Sequence, residues 1–324
     1  MTEPRHAAAH PIAILVNPRS TAAHPGLTEY ATKRLEPFGV QAVLTTRQRG
    51  HAAKLAKLAM KEHDALTVVT LGGDGTAAEA AGALVNTGAA LAPIPAGSTN
   101  VFARTIGWPM DANKAIDRLV DAIASGQRAE PVTIGIVEAG GQQRSFIVNA
   151  GVGIDAEAAD MVERHPDMKR RVGQLWFAGA TFVAAARQAR RTPMRVSVDH
   201  GTPFPLASVS IACTRPYAYF RTRAFDLIPD AGHEGALGWL GSVGRGMTGP
   251  AVAAAGAFTG GWHLDSPRIA HGTARQEIVM ESTDGVPVQA DGEPLGRHRR
   301  VVVRPATGLL VLRGDATPGT PGTA

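Results

Sequence analysis

The residue types best suited to phosphate chemistry lie between Thr67 and Leu84, in the stretch TVVTLGGDGTAAEAAGAL. Gly72, Gly73 and Gly75 surround Asp74, and Thr76 and Glu79 follow. Residues without a Cβ let backbone N–H groups come close to a ligand, and the amides that open a helix carry partial positive charge that favours a phosphate. A carboxylate in the same place can orient a hydroxyl or take its proton. An ordinary tight strand-to-helix turn, with Asp74 as its turn residue, has the same composition. The flanking elements follow from the pattern. The β-branched run before Gly72 reads as a strand, and the alanine-rich run after it as a helix. Thr76 and Glu79 have the spacing of a capping box at that helix start.

A second such place is Asp291-Gly292-Glu293, two carboxylates about a glycine between β-like runs, where Asp-Gly is also a strong hairpin signal. A third is the polar loop Asn17-Pro18-Arg19-Ser20-Thr21, which breaks the apolar run at 12–16, and a fourth is Gly97-Ser98-Thr99-Asn100 after the short strand ALAPIP.

The chain around these places has 324 residues, more than one compact core usually holds, so two domains are expected. Hydrophobic content of 44% and charged content of 19% exclude a disordered or fibrous class. A net charge of +5 and a pI near 9.7 favour anionic partners, whether nucleotide, nucleic acid or acidic membrane surface, and charge does not choose among them. Cys213 is the single cysteine, in the apolar run ASVSIAC. It reads as a buried strand residue, excludes an internal disulfide and fits a reducing compartment. The opening MTEPRHAAAHP lacks the apolar core of a signal peptide, and no apolar run reaches the roughly 18 residues of a membrane span, so a soluble or peripheral protein is expected. The eleven histidines form no HExxH or paired spacing, which leaves zinc chemistry without support.

From residue 12 to about 130 the pattern alternates strand and helix: strands at 12–16, 40–46 and 65–71, helices at 27–36, 51–63 and after Gly75. In such a parallel sheet the loops that leave the carboxyl ends of the strands share one crevice, which gathers the loops at Asn17, Gly72 to Thr76 and Gly97 to Asn100. After Gly126, short alternating runs (PVTIGIVEAG, QRSFIVNAGVG, PMRVSVDH, ASVSIACT, RQEIVMEST, PVQADGEPL, RRVVVRPA) predict a mainly antiparallel β domain. A helix over 172–187, with basic residues at both ends, fits a core helix or a membrane-surface helix. The glycine-rich GSVGRG at 241–246 reads as a flexible loop, and the residues from Gly314 onward as a disordered polar tail.

Taken together, these segments resemble the diacylglycerol kinase catalytic-domain family, in particular the soluble bacterial lipid kinases related to sphingosine and ceramide kinases. The resemblance rests on Asn17-Pro18-Arg19-Ser20, GGDGT with Glu79, Gly97-Ser98-Thr99-Asn100-Val101-Phe102-Ala103-Arg104, Asn149-Ala150-Gly151-Val152-Gly153-Ile154-Asp155-Ala156 and Asp291-Gly292-Glu293, in the family's order across nearly the whole chain. It implies an N-terminal three-layer α/β nucleotide-binding domain at 1–130 and a β-sandwich-like lipid-substrate domain at 131–303, with the active site in the cleft between them. Residues 304–314 would return to the first domain, and 315–324 would be tail.

The activity the resemblance implies is ATP-dependent phosphorylation of a lipid hydroxyl such as that of diacylglycerol. Asn17, Pro18, Arg19, Ser20, Thr21, Thr46, Gly72, Gly73, Asp74, Gly75, Thr76, Glu79 and Ser98 would contact the nucleotide. Glu293 would act as general base, with Asp74 and Asp291 placing Mg²⁺ and the reacting groups. The implied partners are a lipid alcohol and an anionic membrane surface at the cytoplasmic face. Nucleic acid is not among them, and there is room for a homodimer. A NAD kinase-like enzyme, or a non-catalytic nucleotide- or lipid-binding protein on the same fold, are the alternatives.

Two departures stand out. Val101 occupies a place where the family often has aspartate. In PDAGHEGALGW, His233, Glu234 and Gly238 stand where some members have the aspartates of a structural metal site, so no metal site is expected there.

Overall fold

The computed structural model describes residues 11–64, 66–164, 180, 183–187, 192–220, 223–244 and 247–315. Residues 316–324 of the expected tail and most of the expected helix at 172–187 lie outside these residues, as do the first ten residues and Arg245-Gly246 of the GSVGRG loop. The tail does not begin at Gly314 as expected: the Gly314 N–H donates to Ile106 O at 2.9 Å, its carbonyl accepts from Arg118 Nε at 2.6 Å, and Asp315 pairs with Arg313 at 3.1 Å. The chain divides into two compact units, residues 1–132 with 307–324, and residues 133–306.

The first unit alternates β1 (Ile12–Val16), α1 (Pro25–Leu35), β2 (Val40–Thr45), α2 (His51–His63), β3 (Thr67–Gly72), α3 (Asp74–Leu84) and β4 (Ala90–Pro95), then α4 (Val101–Thr105) and α5 (Ala112–Ala124). Its strands pair in parallel in the order β2-β1-β3-β4, and Leu310 and Val311 extend the sheet by pairing with Ala90 and Leu91. β1, β3 and β4 are buried along their whole length, whereas β2 alternates because it forms the edge. This is why the sequence shows unbroken apolar runs in this half. From β1 the chain steps one way to β2, then back past β1 to β3 and β4. Right-handed crossovers therefore place α1 on one face and α2 and α3 on the other. Tyr30 and Arg34 of α1 both bond Asp117 of α5, at 2.8 and 2.9 Å, so α5 joins the α1 face. The short α4 and the amphipathic α5 go beyond what the sequence patterns identified. The order of strands reverses between β1 and β3, and the crevice of an open parallel sheet lies outside the carboxyl ends of strands at such a point.

The second unit contains most of β5 (Glu130–Ala139), then β6 (Gln142–Phe146), β7 (Asn149–Val152), α6 (Ile154–Glu163), β8 (Met194–Val198), β9 (Phe204–Leu206), β10 (Ser208–Ala212), β11 (Ala218–Phe220), β12 (Arg223–Phe225), β13 (Leu237–Ser242), α7 (Thr248–Phe258), β14 (Ile269–Ala274), β15 (Ile278–Ala290) and most of β16 (Glu293–Val311). Its pairings with described register are antiparallel. Most of the run RQEIVMEST and the first four residues of PVQADGEPL share one strand, β15, the last three of that second run open β16, and QRSFIVNAGVG divides into β6 and β7.

β15 changes neighbour along its length. Residues 278–281 pair with β8, residues 288–290 pair with β7, and its register with β16 is broken between Glu281 and Val286. That irregularity bends the strand, and the two arms close over one core holding Val196 and Leu206 from one arm and Val209, Leu237 and Trp239 from the other. Phe204 and Trp239 have ring centroids 6.0 Å apart, and a Cβ on Gly241 would lie 2.3 Å from Leu206 Cδ1. Cys213 is buried in this core, and burial pushes its thiol well above the ordinary value, which suits a packing residue.

Candidate functional site

In the first unit, the loops singled out by their chemistry meet at the reversal point of the sheet. Asn17 leaves β1 with its N–H on Leu71 O at 3.0 Å, and its Nδ2 donates to Thr76 Oγ1 at 2.9 Å. Its Oδ1 accepts from Arg19 N at 3.1 Å, and Ser20 N donates to Asn17 O at 3.0 Å, so one asparagine shapes its own turn and ties it to α3. Arg19, Thr21 and Ser98 are exposed, while Thr46 is buried with its N–H on Val16 O at 2.8 Å. The Gly97 loop is drawn in by Asn100. That residue accepts from Gly97 N at 2.9 Å and donates to Gly97 O at 2.8 Å.

Gly73 begins α3 with an extended backbone, φ −95° and ψ −176°, which any residue can adopt. Packing demands glycine at 97: a Cβ there would lie 2.5 Å from Gly73 Cα, whereas one on Gly73 would lie 3.3 Å from Gly97 Cα, tight but not overlapping. Two backbones touch here without side chains between them.

The capping box expected at Thr76 and Glu79 does not form. The N-cap of α3 is Gly73, with no side-chain bond, and the Thr76 hydroxyl accepts from Asn17. Glu79 instead caps the neighbouring helix, accepting from Gly50 N at 2.6 Å and Ala52 N at 3.0 Å at the start of α2. Packing of α2 on α3 brings those amides within reach of Glu79.

Asp74 serves α4 in the same way. Its Oδ2 accepts from Val101 N at 2.9 Å and its Oδ1 from Phe102 N at 3.0 Å, with Thr99 Oγ1 at 3.4 Å. Burial raises its carboxyl above the usual 3.8, against the lowering pull of the Phe102 and Val101 amides and the Thr99 hydroxyl. Val101 contributes its backbone amide to this clamp.

In the second unit, Asp291 and Gly292 form the two-residue turn between β15 and β16, with φ of +49° and +79° and Ala290 paired with Glu293. Positive φ at both central residues is the mark of a type I′ hairpin. The Asp291 carboxylate accepts three backbone amides, Ile147 at 2.9 Å, Val148 at 2.9 Å and Asn149 at 3.0 Å, and its own N–H donates to Asn149 O at 2.8 Å. It therefore fastens the turn to the segment between β6 and β7. Glu293, the first residue of β16, forms an ion pair with Arg144 Nη2 of β6.

Behind the turn lies a polar network that the sequence did not announce. The Gln289 side chain is buried; its Nε2 donates to Asp155 Oδ2 at 2.6 Å and Asn149 Oδ1 at 3.0 Å, and its Oε1 accepts from Gly292 N at 2.7 Å. Tyr217 Oη donates to Asp155 Oδ2 at 2.7 Å, and Asn149 Nδ2 to Tyr217 O at 3.1 Å. Asp155 lies in the first turn of α6, two residues past the N-cap position. Gly153, at φ +96°, takes that place, and the Asp155 carboxylate points back into the network, packed on Gly151. Burial raises its carboxyl above 3.8, opposed by the Tyr217 and Gln289 bonds. Burial, and then the neighbouring Asp155 charge, raise the Tyr217 phenol well above 10.0.

Arg144, Gln289 and Tyr217 are the site-lining residues that sequence reasoning missed. Arg144 and Glu293 are 149 positions apart, and only strand pairing makes them neighbours. In the His233-Glu234 region, Asp230 pairs with His271 at 2.9 Å. Among the described residues no helix is long and apolar enough to cross a membrane, and no group of three or more His, Cys, Asp or Glu side chains could hold a metal ion.

Comparison with known proteins adds the following. Residues 11–137 match the family model of the diacylglycerol kinase catalytic domain. A diacylglycerol kinase of Mycobacterium tuberculosis is 27% identical over 270 residues, which cover 81% of this chain and 82% of that protein. An uncharacterized protein of Synechocystis sp. is 28% identical over 153 residues, 46% of this chain, and the chain spans 32% of that protein's length. Among solved structures, a putative diacylglycerol kinase from Bacillus anthracis aligns with a TM-score of 0.70 at 20% identity, covering 94% of this chain and 95% of that one. A diacylglycerol kinase from the same organism aligns at 0.64 and 17%, covering 94% and 97%. At these identities the solved structures establish the fold: an α/β domain and a β-rich domain.

Proposed function

We propose, from the premise that this chain belongs to the diacylglycerol kinase catalytic-domain family, that it transfers the γ-phosphoryl group of ATP to the hydroxyl of diacylglycerol or a similar lipid alcohol. The observation that carries the reading is the convergence of the Asn17, Gly72 to Thr76 and Gly97 loops at the carboxyl ends of β1, β3 and β4. Such a crevice is where open α/β sheets receive nucleotides, and the Asp74 and Gly75 amides that open α3 precede the first intrahelical bond, which Thr76 N makes to Gly73 O at 3.0 Å. Asn17, Thr76 and the glycines would line the triphosphate, with the exposed Arg19, Thr21 and Ser98 at its rim. Asp74 acts as a positioning residue, holding the start of α4 and the Gly97 loop in place.

Glu293 is the proposed general base, oriented by Arg144 and placed by the clamped Asp291 turn. The acceptor hydroxyl gives its proton to the Glu293 carboxylate while its oxygen bonds to the γ-phosphorus. The bond from phosphorus to the bridging oxygen breaks, and its electrons leave with ADP. Among the described residues no three His, Cys, Asp or Glu side chains come together as a metal cage, while a carboxylate oxygen that accepts one backbone amide, as Asp74 Oδ1 and Asp291 Oδ2 do, has a second lone pair that would reach a phosphate-bound Mg²⁺. Mg²⁺ would be held mainly by the phosphates, as is usual for that ion. The site of action would be the cytoplasmic face of a membrane.

The test is a labelled-phosphate assay that offers diacylglycerol in mixed micelles and, separately, NAD. Transfer to lipid is expected; transfer to NAD alone would favour the NAD kinase-like reading. Glu293→Gln should keep ATP affinity and lose turnover by about a hundredfold, the usual contribution of a general base. Full activity in that variant would remove Glu293 from the mechanism.

A further inference from the structure

Helix α7 carries two apolar stripes, and the core of its unit accounts for one of them. Its sequence, TGPAVAAAGAF, has no charged side chain. Ala253 and Ala257 face inward, in the cluster with Tyr217, Leu240 and Ile269, and a Cβ on Gly256 would lie 2.4 Å from His263 Nδ1. The opposite stripe is Ala251, Ala254, Ala255 and Phe258, all exposed, at the i, i+3, i+4, i+7 spacing of a single helix face. Phe258 is 40% exposed, and Trp262, one turn further on, is 48% exposed. A helix that faces water ordinarily carries charged or polar residues there. The apolar surface continues at both ends. Phe258 packs on Phe225 and Phe220 of the β11–β12 hairpin, with centroids 4.9 and 6.0 Å apart, and Val243, 41% exposed, donates its N–H to Arg268 O beside the helix start.

Arginines flank this stripe. Arg268 is exposed and reaches Thr248 Oγ1 at 3.0 Å at the start of the helix, and Arg223 is exposed on β12. From Gly235 to Leu264 the sequence contains no aspartate or glutamate. Of the nearby carboxylates, Asp226 is bonded to Arg215, and Asp265 lies exposed beyond Trp262. An apolar centre with an aromatic border and arginines at its edges is complementary to the surface of an anionic bilayer, with acyl chains below and negative headgroups around.

We propose that the exposed stripe of α7, with Phe258 and Trp262, docks this protein on an anionic membrane, Arg223 and Arg268 meeting the lipid headgroups. The choice of a bilayer as occupant rests on the lipid-kinase reading above. The test is co-flotation of the full chain with phosphatidylcholine vesicles, with and without phosphatidylglycerol. Binding to the anionic vesicles is expected and should weaken with salt. The double variant Ala251→Glu/Ala255→Glu, at exposed positions, should keep the parent's melting temperature and lose about tenfold or more in vesicle affinity. Arg268→Gln should lose about fivefold. No vesicle binding by the parent, or equal binding by parent and double variant, would overturn the proposal. So would a dimer in sedimentation that the double variant dissolves, because the stripe would then belong to a second copy. Vesicle binding is read without turnover, so absence of kinase activity beside intact, stripe-dependent binding would sink the kinase reading and leave the docking surface standing.

Discussion

The turn at Gly72 to Gly75 and the turn at Asp291-Gly292 use the same two residue types, one in each unit, for different physical reasons. In the first, the constraint comes from a neighbour: Gly73 has an ordinary extended backbone, and the loop packed on it must carry glycine at 97, where a Cβ would lie 2.5 Å from Gly73 Cα. In the second, glycine is favoured by the backbone itself. Gly292 sits at φ +79° with no atom within 4 Å of where a Cβ would be. The aspartates are closer in role, since each holds the backbone of a distant segment, but Asp74 takes two amides and Asp291 takes three. A conspicuous turn in a sequence can therefore be conspicuous because of what it packs against, because of its own dihedrals, or because of the loop it fastens.

The comparison can be broken by substitution. Hydrogen bonds to a charged group contribute about 1.5 to 3 kcal/mol each. Allowing for solvent access, Asp291→Ala should cost about 4 kcal/mol and Asp74→Ala about 3, measured by denaturant unfolding; the reverse order would show that counting amides is the wrong basis. Gly97→Ala should follow at about 2 kcal/mol, the range for overpacking, and should also weaken ATP binding because the Gly73 turn must shift. Gly292→Ala should cost about 1 kcal/mol, the penalty of the left-handed region for an L-residue, and Gly292→Asn less. Equal costs at Gly97 and Gly292 would erase the distinction between packing and dihedral.

The smallest effect is expected at Asp155. Because its carboxyl is raised, the fold favours the protonated form, so its contribution to stability is full below 3.8 and is lost as pH rises through the raised value. Asp155→Asn has nothing to ionise and can still accept from Tyr217 and Gln289. Relative to the parent it should gain less than about 1 kcal/mol as pH rises through that window, and thermal melts across pH would show it. A relative loss of stability on raising pH would reverse the assigned direction.

Much of this molecule was legible without coordinates. The strand, glycine turn and helix at 67–84, and the Asp-Gly hairpin, could be read because periodicity and turn chemistry act over a few neighbouring residues. The division into a parallel α/β part and an antiparallel part was legible for the same reason: buried parallel strands read as continuous apolar runs and half-exposed strands alternate. Where local reading failed, a distant acceptor or donor had won. Glu79 has capping-box spacing with Thr76, yet the amides of Gly50 and Ala52 take it, and Asp155 stands at a helix start yet bonds Tyr217 and Gln289.

The amino-acid order by itself determined where the strands and helices of the parallel sheet up to α3 and the glycine turns lie, because those depend on dihedral preference and on which side chains avoid water. Only the tertiary structure decided what each carboxylate holds. Asp74 on Val101 and Phe102, Asp291 on residues 147 to 149, and Glu293 on Arg144 are contacts between segments tens to more than a hundred positions apart. A side chain's hydrogen-bond partner is set by distance in space, and separation along the chain carries no record of it.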